Sequence, residues 1–519
     1  MQPHGMEVGM SRRAWLMVCL ITLFASVLVD GTGQTSGGQP ASEARAAAAA
    51  LPQFELVQPD LFAATGGQPN CWADFDGDGD LDLFVGFRQG VANRLYRNDK
   101  GTFANVAAEL GVADLNDTRA AAWGDFDGDG DIDLFVGFTR KTEIPSKLYR
   151  NEGAGKPFVD VAKAMGIEAP GETRQSAFID FDNDGDLDFF VGLRDAPNML
   201  FRNDGKGFVS VGKEMGIDDP RRTVGAVWFD MDQDSDLDVF VANQNGDLNG
   251  MFRNEGARFV DVAKELGLDA AGRPKTSGSN GPSVADYDND GDLDLFVAGY
   301  GGNFLYRNDG PGKFTEVAAQ MNLAGGALAT PSRWGDFDND GRIDLYVSSY
   351  IDKPINERDF LFHNEGDRFT DVIPENIAKR GATHGIQWVD FDKDGDLDFA
   401  IANNNPNGTH SLYRNLLPPE QARRSIQVLV QDARGRAMKA GSEVRVYASG
   451  TRTLLGTGIV DTGSGYTSQN VIPVHIGLGT DAAVDVEVTT LGKAGRKMTK
   501  VAKVNPDKVP GRVLVVKAR

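Results

Sequence analysis

The chain has 519 residues, with 75 acidic and 53 basic side chains and a formal net charge of −22. A pI near 4.7 excludes the basic face that nucleic-acid binding requires. Two cysteines exclude a disulfide-stapled scaffold or a cysteine-ligated metal site, and a 41% apolar share is enough for a buried core.

The N-terminal segment has the anatomy of a secretory signal, which we assign to residues 1–33. An arginine pair at 12–13 precedes an apolar run at 14–29, and small residues follow. The run is shorter than the roughly 20 residues of a membrane span, although an uncleaved anchor stays an alternative. The arginine pair partly matches a twin-arginine signal, but the strong apolar run favours the general secretory route. We therefore predict a secreted, periplasmic or cell-surface protein, with a low-complexity linker at 34–53.

An acidic nine-residue string occurs seven times along the chain. The first copy reads DFDGDGDLD, and successive copies begin 50 to 56 residues apart. A period near 50 residues is typical of propeller blades. The seven copies begin at Asp74, Asp125, Asp180, Asp230, Asp286, Asp336 and Asp390.

Each repeat contains four strand signals and one short helical signal. A stretch such as AAAWGDF precedes the acidic string, LDLFVG follows it, and then come KLYRN and FVDVA or their variants. Segments such as AKAMGI then favour a helical turn. Four short strands per repeat predict an all-β fold, a seven-bladed β-propeller over residues 54–415 with a turn at each acidic string. The fourth-strand signal FELV at 54–57 precedes the first repeat, so we expect it to complete the last blade and close the ring.

Tryptophan recurs at one position of the repeat, two residues before the first aspartate. Because an aromatic side chain at one register of an inner strand packs between blades, we predict a structural role rather than a binding ladder. The five residues are Trp72, Trp123, Trp228, Trp334 and Trp388.

The acidic strings have the composition of a hard-cation site. Aspartate occupies positions 1, 3, 5 and 9 in every copy, and glycine occupies position 6 in six copies. Four converging carboxylates repel one another without a cation, and oxygen-only ligands suit Ca²⁺. The strings contain no histidine or cysteine, which argues against zinc or copper. An EF-hand fits poorly, because strands rather than helices flank the turn.

These turns resemble the FG-GAP repeats of the integrin alpha-subunit propeller over about residues 54–415. In that family the carboxylates at positions 1, 3, 5 and 9 and the carbonyl at position 7 bind one calcium, so the resemblance implies up to seven Ca²⁺. Two copies depart from the pattern: Ser235 replaces the glycine at position 6, and Arg342 stands at position 7. The implied ligands are Asp74, Asp76, Asp78, Asp80 and Asp82; Asp125, Asp127, Asp129, Asp131 and Asp133; Asp180, Asp182, Asp184, Asp186 and Asp188; Asp230, Asp232, Asp234, Asp236 and Asp238; Asp286, Asp288, Asp290, Asp292 and Asp294; Asp336, Asp338, Asp340, Arg342 and Asp344; and Asp390, Asp392, Asp394, Asp396 and Asp398.

The repeat ends before a linker at 416–424, and residues 425–519 show separate strand signals. They predict a small β-sandwich-like domain, whose VHIGLG string resembles the ASPIC/UnbV domain of cartilage-acidic-protein-like proteins. The Trp-Pro pair common in that module is replaced by Thr490-Leu491-Gly492. This segment has 14 basic and 7 acidic side chains, so we expect it to dock on the acidic ring.

The resemblance implies a calcium-stabilised scaffold that binds an extracellular protein or glycan, without catalysis. We expect its ligand face at the channel mouth opposite the turns, where an anion or a glycan carboxylate would meet Arg119, Arg174 and His384, with Arg222 close by. The alternative for that mouth is a hydrated polar entrance.

Two other functions stay open. One is a polysaccharide-acting lyase or hydrolase built on a calcium propeller, although the sequence offers no distinct acid–base pair. The other is a purely structural matrix component. We expect a monomer with no nucleic-acid partner and no membrane span in the mature chain.

Overall fold

The structure, a computed structural model, describes residues 52–139, 145–167, 169, 173–325, 329–349, 358–378, 383–404, 408–437, 439–464 and 466–518. The predicted signal at 1–33 and nearly all of the linker at 34–53 lie outside these residues. Among the described helices, none is long and apolar enough to cross a membrane.

Each acidic string forms a turn between the first two strands of a repeated antiparallel sheet. The described strands of the repeats are β1 (Phe54–Leu56); β2 (Gly67–Ala73), β3 (Asp82–Phe87), β4 (Arg94–Asp99) and β5 (Thr102–Asn105); β6 (Thr118–Gly124), β7 (Asp133–Phe138), β8 (Lys147–Arg150) and β9 (Val159–Asp160); β10 (Thr173–Ile179), β11 (Asp188–Leu193), β12 (Met199–Asn203) and β13 (Phe208–Ser210); β14 (Thr223–Phe229), β15 (Asp238–Asn243), β16 (Gly250–Asn254) and β17 (Phe259–Asp261); β18 (Gly278–Ala285), β19 (Asp294–Tyr300), β20 (Phe304–Asn308) and β21 (Phe314–Glu316); β22 (Ala329–Gly335), β23 (Asp344–Ser349), β24 (Phe360–Asn364) and β25 (Phe369–Asp371); and β26 (Thr383–Val389), β27 (Asp398–Asn403) and β28 (Ser411–Asn415).

The repeat sheets are arranged in a ring. The inner strands contact one another in the order β2, β6, β10, β14, β18, β22 and β26, and β26 contacts β2. β1 pairs antiparallel with β28, with Phe54 opposite Asn415. The N-terminal strand therefore completes the sheet made by the C-terminal end of the repeats, as predicted. The all-β propeller predicted from the repeat is confirmed.

The core lies between neighbouring sheets, where large side chains of the inner strands are buried. Trp72, Trp123 and Trp228 are fully buried. Trp334 and Trp388 are also buried, and the Trp388 ring contacts Phe399 edge-on at 5.2 Å. The predicted packing role of the repeated tryptophan is thus confirmed.

The described helices are single turns at the outer side of the repeats and after them. Three of them follow a fourth strand and end at a glycine in the left-handed conformation, as at Gly166 with a φ of 81°. The five α-helices are α1 (Ala162–Met165), α2 (Gly212–Met215), α3 (Ala263–Leu266), α4 (Glu375–Ala378) and α5 (Pro419–Ala422).

The C-terminal segment forms two further sheets, in the orders β33-β29-β36 and β31-β30-β34-β35. Valines such as Val428, Val446 and Val486 are buried in one apolar cluster shared by both sheets. This is the predicted sandwich-like arrangement. The segment's strands are β29 (Ser425–Gln431), β30 (Glu443–Ala448), β31 (Leu454–Ile459), β32 (Ser468–Gln469), β33 (Val474–Gly477), β34 (Val484–Thr490), β35 (Lys497–Val504) and β36 (Val513–Lys517).

One part of the C-terminal segment lies inside the ring, which the sequence did not indicate. β32 pairs in parallel with the inner strand β6, with Ser468 opposite Ala121. Gln469 donates from Nε2 to the carbonyl of Phe178 at 2.9 Å, and the Val471 amide donates to the carbonyl of Trp72. The segment therefore bonds to the backbone of several inner strands, and the two parts share the compact unit Leu51–Arg519. The domain boundaries stay a prediction.

An ion pair anchors this inserted segment. Arg333 Nη2 on β22 lies 2.5 Å from Asp461 Oδ2, and both side chains are about nine-tenths buried. Asn470 Nδ2 donates to the same carboxylate at 2.6 Å. Although burial opposes ionisation, Arg333 lowers the pKa of Asp461, so the carboxylate is charged within the ring.

The rest of the C-terminal segment covers the face that carries the acidic turns. Arg496 Nη1 lies 2.9 Å from Asp230 Oδ2, and Arg445 donates to the carbonyl of Gly291 at 2.6 Å. Gly477 approaches the sixth turn so closely that a Cβ there would overlap the Asp336 carboxylate. The expected docking of the basic segment on the acidic ring is confirmed by these contacts.

Candidate metal centres

The first acidic turn shows how the repeat builds a carboxylate cluster. Asp74 Oδ2 accepts the Gly79 amide at 3.0 Å, and Asp78 Oδ1 accepts the Asp80 amide at 2.8 Å. Gly79 has a φ of 94°, a backbone conformation that favours glycine. One carboxylate oxygen each from Asp74, Asp76 and Asp78 lies within 4.8 Å of the others.

Buried carboxylate oxygens without donors recur at position 1 of the turns. The first-position aspartate is nearly inaccessible in several copies, with 3% exposure at Asp125 and 4% at Asp390. Among the described residues, no hydrogen-bond donor reaches Oδ1 of Asp74, Asp125, Asp180, Asp230 or Asp390. Since a buried oxygen without a partner is costly, these atoms fit a cation bound by the turn.

The ninth-position aspartate is fully buried in each copy and fixes the turn to the following strand. Asp133 Oδ2 accepts the Phe126 amide at 3.1 Å, and its Oδ1 accepts the Asn151 amide at 2.8 Å. The Asn151 side chain donates to the carbonyl of Phe75 in the preceding repeat at 2.8 Å. This asparagine thus connects two turns.

Sequence reasoning missed the role of this asparagine, although its signal was present. It is the last residue of the KLYRN string and occurs in all seven copies. The equivalent residues are Asn98, Asn151, Asn203, Asn254, Asn308, Asn364 and Asn415.

When no cation is present, burial and the repulsion of neighbouring carboxylates raise the pKa of the first-position and ninth-position aspartates of the turns. Burial raises the pKa of Asp133 to about 9, and the charges of Asp127 and Asp125 add to that effect. Burial likewise raises the pKa of Asp74 to about 6. A bound dication removes this repulsion, so the electrostatics also fit a cation.

The structure also brings predicted residues together in the second, third and fourth turns, and it gives single contacts of turn carboxylates in the fifth and seventh. Three carboxylates converge in turns two, three and four, as the groups Asp125, Asp127 and Asp133; Asp180, Asp182 and Asp188; and Asp230, Asp232 and Asp234. In the fifth turn, Asp286 Oδ1 accepts the Asp290 amide at 3.0 Å. In the seventh turn, Arg414 Nε lies 2.7 Å from Asp392 Oδ2.

The two departures from the repeat have visible consequences. Ser235 adopts a φ of 93° at the position where the other copies have glycine, a backbone conformation that strains a serine. Arg342, predicted to offer only its carbonyl, also forms an ion pair between its guanidinium and Asp340 Oδ2.

The sixth turn contains a histidine that the acidic strings did not reveal. His363 Nε2 lies 3.3 Å from Asp338 Oδ2 and 3.5 Å from Asp340 Oδ2. These two carboxylates raise the pKa of His363 to about 10. The signal in the sequence was a single change within the KLYRN string, which reads FLFHN in this copy.

At the opposite end of the ring, basic side chains surround a buried histidine. Arg119 Nη1 lies 3.1 Å from Nδ1 of His384, which is 4% exposed. Burial and the charges of Arg119, Arg174 and Arg88 lower the pKa of His384 well below its usual value, so the imidazole is neutral. The structure therefore places Arg119, Arg174 and His384 together.

Two further residues alter the predicted ligand face. Arg222 contacts Asp247, with Nη1 3.2 Å from Oδ2, and shows no contact with the group around His384 among the described residues. Tyr466 of the inserted segment packs edge-on against His384 at 5.7 Å. The inner side of this mouth is thus lined by the C-terminal segment.

Comparison with known proteins identifies the repeats. A model of the FG-GAP-like repeat matches residues 74–136, 180–241, 230–297 and 286–347. The chain thus contains FG-GAP-like repeats within its propeller, and the resemblance seen in the acidic strings is confirmed.

One curated relative is cartilage acidic protein 1 of Xenopus tropicalis, 26% identical over 264 residues, or 48% of this chain. The match spans 38% of that relative's length. It supports the predicted family, while the ASPIC/UnbV assignment of residues 425–519 stays a prediction.

Two solved structures share low similarity with the chain. One is an Agrocybe aegerita lectin that recognises non-reducing terminal N-acetylglucosamine, with 18% identity, a TM-score of 0.38, and coverage of 60% of this chain and 81% of the lectin. The other is the extracellular domain of a hybrid two-component system of B. thetaiotaomicron, with 10% identity, a TM-score of 0.43, and coverage of 89% and 57%.

Proposed function

We propose that this chain is a secreted or surface scaffold, stabilised by calcium, that binds an extracellular protein or glycan and performs no catalysis. The observation that carries the calcium part is the buried Oδ1 of the first-position aspartates, which lacks a donor in five turns. An oxygen-only ligand set selects a hard cation, and Ca²⁺ tolerates the irregular geometry of a turn.

The ligands would be the residues that the FG-GAP resemblance implies in each turn. In the second turn these are Asp125, Asp127, Asp129 and Asp133 with the carbonyl of Asp131. A cation there neutralises the negative charge of converging carboxylates, and it fixes the turn between two strands. Calcium would thus act in stability rather than in a reaction.

The partner would bind at the mouth opposite the turns. Three guanidinium groups surround a neutral imidazole there, so this end has positive potential in an otherwise acidic protein. The turn face is covered by the C-terminal segment, as the Arg496–Asp230 contact illustrates. A partner with carboxylate or sulfate groups, such as an acidic glycan, has the matching charge.

The first experiment measures calcium directly. Chelator-stripped protein is titrated with Ca²⁺ by calorimetry, and bound metal is counted by elemental analysis after desalting. We expect several equivalents per chain. Protein that binds less than one equivalent at millimolar Ca²⁺ would contradict the calcium part of the proposal.

The second experiment tests the binding face on an array of uronic-acid and sulfated glycans in the presence of calcium. Arg119→Ala combined with Arg174→Ala should abolish the signal, because two of the three charges at the mouth are removed. Arg222→Ala is the matched control, since Arg222 lies against Asp247, and should bind as the unmodified chain does. Binding that survives the double substitution would exclude this face.

A further inference from the structure

The sixth turn differs from the other six at a residue outside the acidic string. The position before the repeated asparagine is arginine in six copies and His363 in the sixth. The six arginines are Arg97, Arg150, Arg202, Arg253, Arg307 and Arg414.

Four of the six arginines pair with an acid two residues later, whereas Arg414 of the seventh copy contacts its own turn, with Nε 2.7 Å from Asp392 Oδ2. In the second and fifth copies the guanidinium pairs with an acid two residues later, Arg150 with Glu152 at 2.6 Å and Arg307 with Asp309 at 2.7 Å. Both side chains are 39% exposed. His363 instead faces the turn and is only 20% exposed, while the equivalent acid Glu365 pairs with Arg368.

The oxygens around His363 Nε2 lie at distances that fit a shared ion as well as an ion pair. Nε2 is buried, and Asp338 and Asp340 each place a carboxylate oxygen near it. The three ligand atoms lie within 4.8 Å of one another. Bonds of about 2.1 Å at tetrahedral or octahedral angles separate ligand atoms by about 3.0 to 3.4 Å, close to the observed 3.3 and 3.5 Å.

The sixth turn has one aspartate fewer than the other copies. Arg342 replaces it at position 7 and pairs its guanidinium with Asp340 Oδ2, so the turn offers less negative charge to any cation. The nitrogen of His363 is the feature that favours a softer ion than calcium. A carboxylate has lone pairs enough to accept both this guanidinium and an ion. Imidazole nitrogen with carboxylate oxygen is a ligand set of Zn²⁺ and related ions.

We propose that the sixth turn binds a first-row transition-metal dication, with Zn²⁺ as its representative, through His363 Nε2 and the carboxylates of Asp338 and Asp340. The inference rests on the proposed cation-binding role of the turns and changes the ion at one of them. The ring would therefore bind two classes of metal ion. The six turns with an arginine at the position of His363 would bind a hard cation such as Ca²⁺, and the sixth turn would bind an ion of intermediate softness such as Zn²⁺.

The test uses Co²⁺ as a visible probe for a zinc site. Full-length protein is stripped, loaded with excess Ca²⁺, titrated with Co²⁺, and followed by visible d–d absorption and by elemental analysis. We expect one equivalent of Co²⁺ that calcium does not displace. His363→Arg, which restores the residue of the other copies, should lower Co²⁺ affinity at least about tenfold and leave the calcium count of the other turns unchanged.

His475→Gln is the matched control. His475 Nε2 lies 2.9 Å from Asn339 Oδ1 of the same turn but does not face the two carboxylates, so this variant should keep the Co²⁺ equivalent. Full Co²⁺ binding by His363→Arg, or no Co²⁺ binding in excess calcium, overturns the inference while the calcium stoichiometry stands. Co²⁺ bound without any calcium binding would instead overturn the proposed function and keep this inference.

Discussion

The repeats and the C-terminal sheets bury different kinds of side chain. In the C-terminal sheets the buried centre is formed by valines such as Val428 and Val486. In the repeats, apolar packing between sheets is joined by fully buried carboxylates such as Asp133 and Asp294 at one end of every sheet. The stability of the repeats therefore depends on what neutralises those carboxylates, whereas that of the C-terminal sheets depends mainly on apolar burial.

Calcium removal should have the largest effect on stability, and it should destabilise the repeats more than the C-terminal sheets. At ten times its dissociation constant an ion stabilises by about 1.4 kcal/mol per site, so several sites together approach 10 kcal/mol. We expect excess EGTA to lower the Tm by about 10 °C or more in calorimetry. In excess EGTA, hydrogen exchange should show a large loss of amide protection in the turns and a much smaller loss in the valine-rich strands.

A magnesium-loaded sample is the control for ionic strength, because Mg²⁺ fits the irregular turn poorly. If protection falls equally in the turns and in β34, the two regions are not stabilised by different means. If metal-free protein in excess chelator melts as calcium-loaded protein does, the proposed calcium ligands do not bind the ion.

The inserted segment joins the two regions, and its ion pair should have the next largest effect. Asp461→Asn leaves the buried Arg333 without its countercharge, which costs about 3 kcal/mol or more. We expect a Tm lowered by several degrees and faster protease cleavage in residues 460–474. The double variant Arg333→Met with Asp461→Leu should be less destabilised than Asp461→Asn alone, since no unpaired charge remains. Equal stability of all three forms would show that the pair does not anchor the segment.

The pH dependence of the metal-free protein should also come from the repeats. Burial raises the pKa of Asp133 and Asp294 to about 9, above the value near 4 of the unfolded chain. The folded state therefore binds more protons, and its stability is greatest at acidic pH and falls between about pH 4 and pH 9. We expect the Tm in EGTA to be several degrees lower at pH 9 than at pH 5.5.

With millimolar Ca²⁺ this decrease should disappear, because the ion binds the deprotonated carboxylates. The comparison is made by calorimetry in matched buffers. A metal-free protein that is more stable at pH 9 than at pH 5.5 would contradict the raised pKa values.

The sequence predicted what is periodic and missed what is not. The repeated string fixed the position of each turn, and the early FELV signal predicted that β1 would pair with β28. Residues 460–470 have no repeat or strong strand signal, and they bond to several inner strands that lie far away in the chain, as Asp461 does to Arg333 and Gln469 to Phe178. Such contacts do not recur with the repeat, so this insertion was not predictable.

The residues of the candidate metal sites were likewise predictable where they repeat and were missed where they do not. The aspartates of the turns were predictable because carboxylates at fixed spacing in a turn converge. His363 was missed because it lies on β24, 19 residues after the sixth turn's last aspartate, Asp344. His363 stands out only when the third strands of the repeats are aligned with one another. The other six copies have an arginine at this position, such as Arg307.

The smallest change in stability is expected for a substitution in the fourth turn. It tests whether backbone strain distinguishes this turn from the other six. Ser235 has a φ of 93°, where glycine has no steric cost. Ser235→Gly should raise stability in calcium by up to about 1 kcal/mol, since relief of strain exceeds the added flexibility of the unfolded chain. Ser210→Gly on the exposed strand β13 is the control and should destabilise slightly, because a strand residue gains no relief from glycine. If Ser235→Gly destabilises as Ser210→Gly does, the fourth turn is not strained, and its serine is as compatible with the cation site as the glycines of the other six.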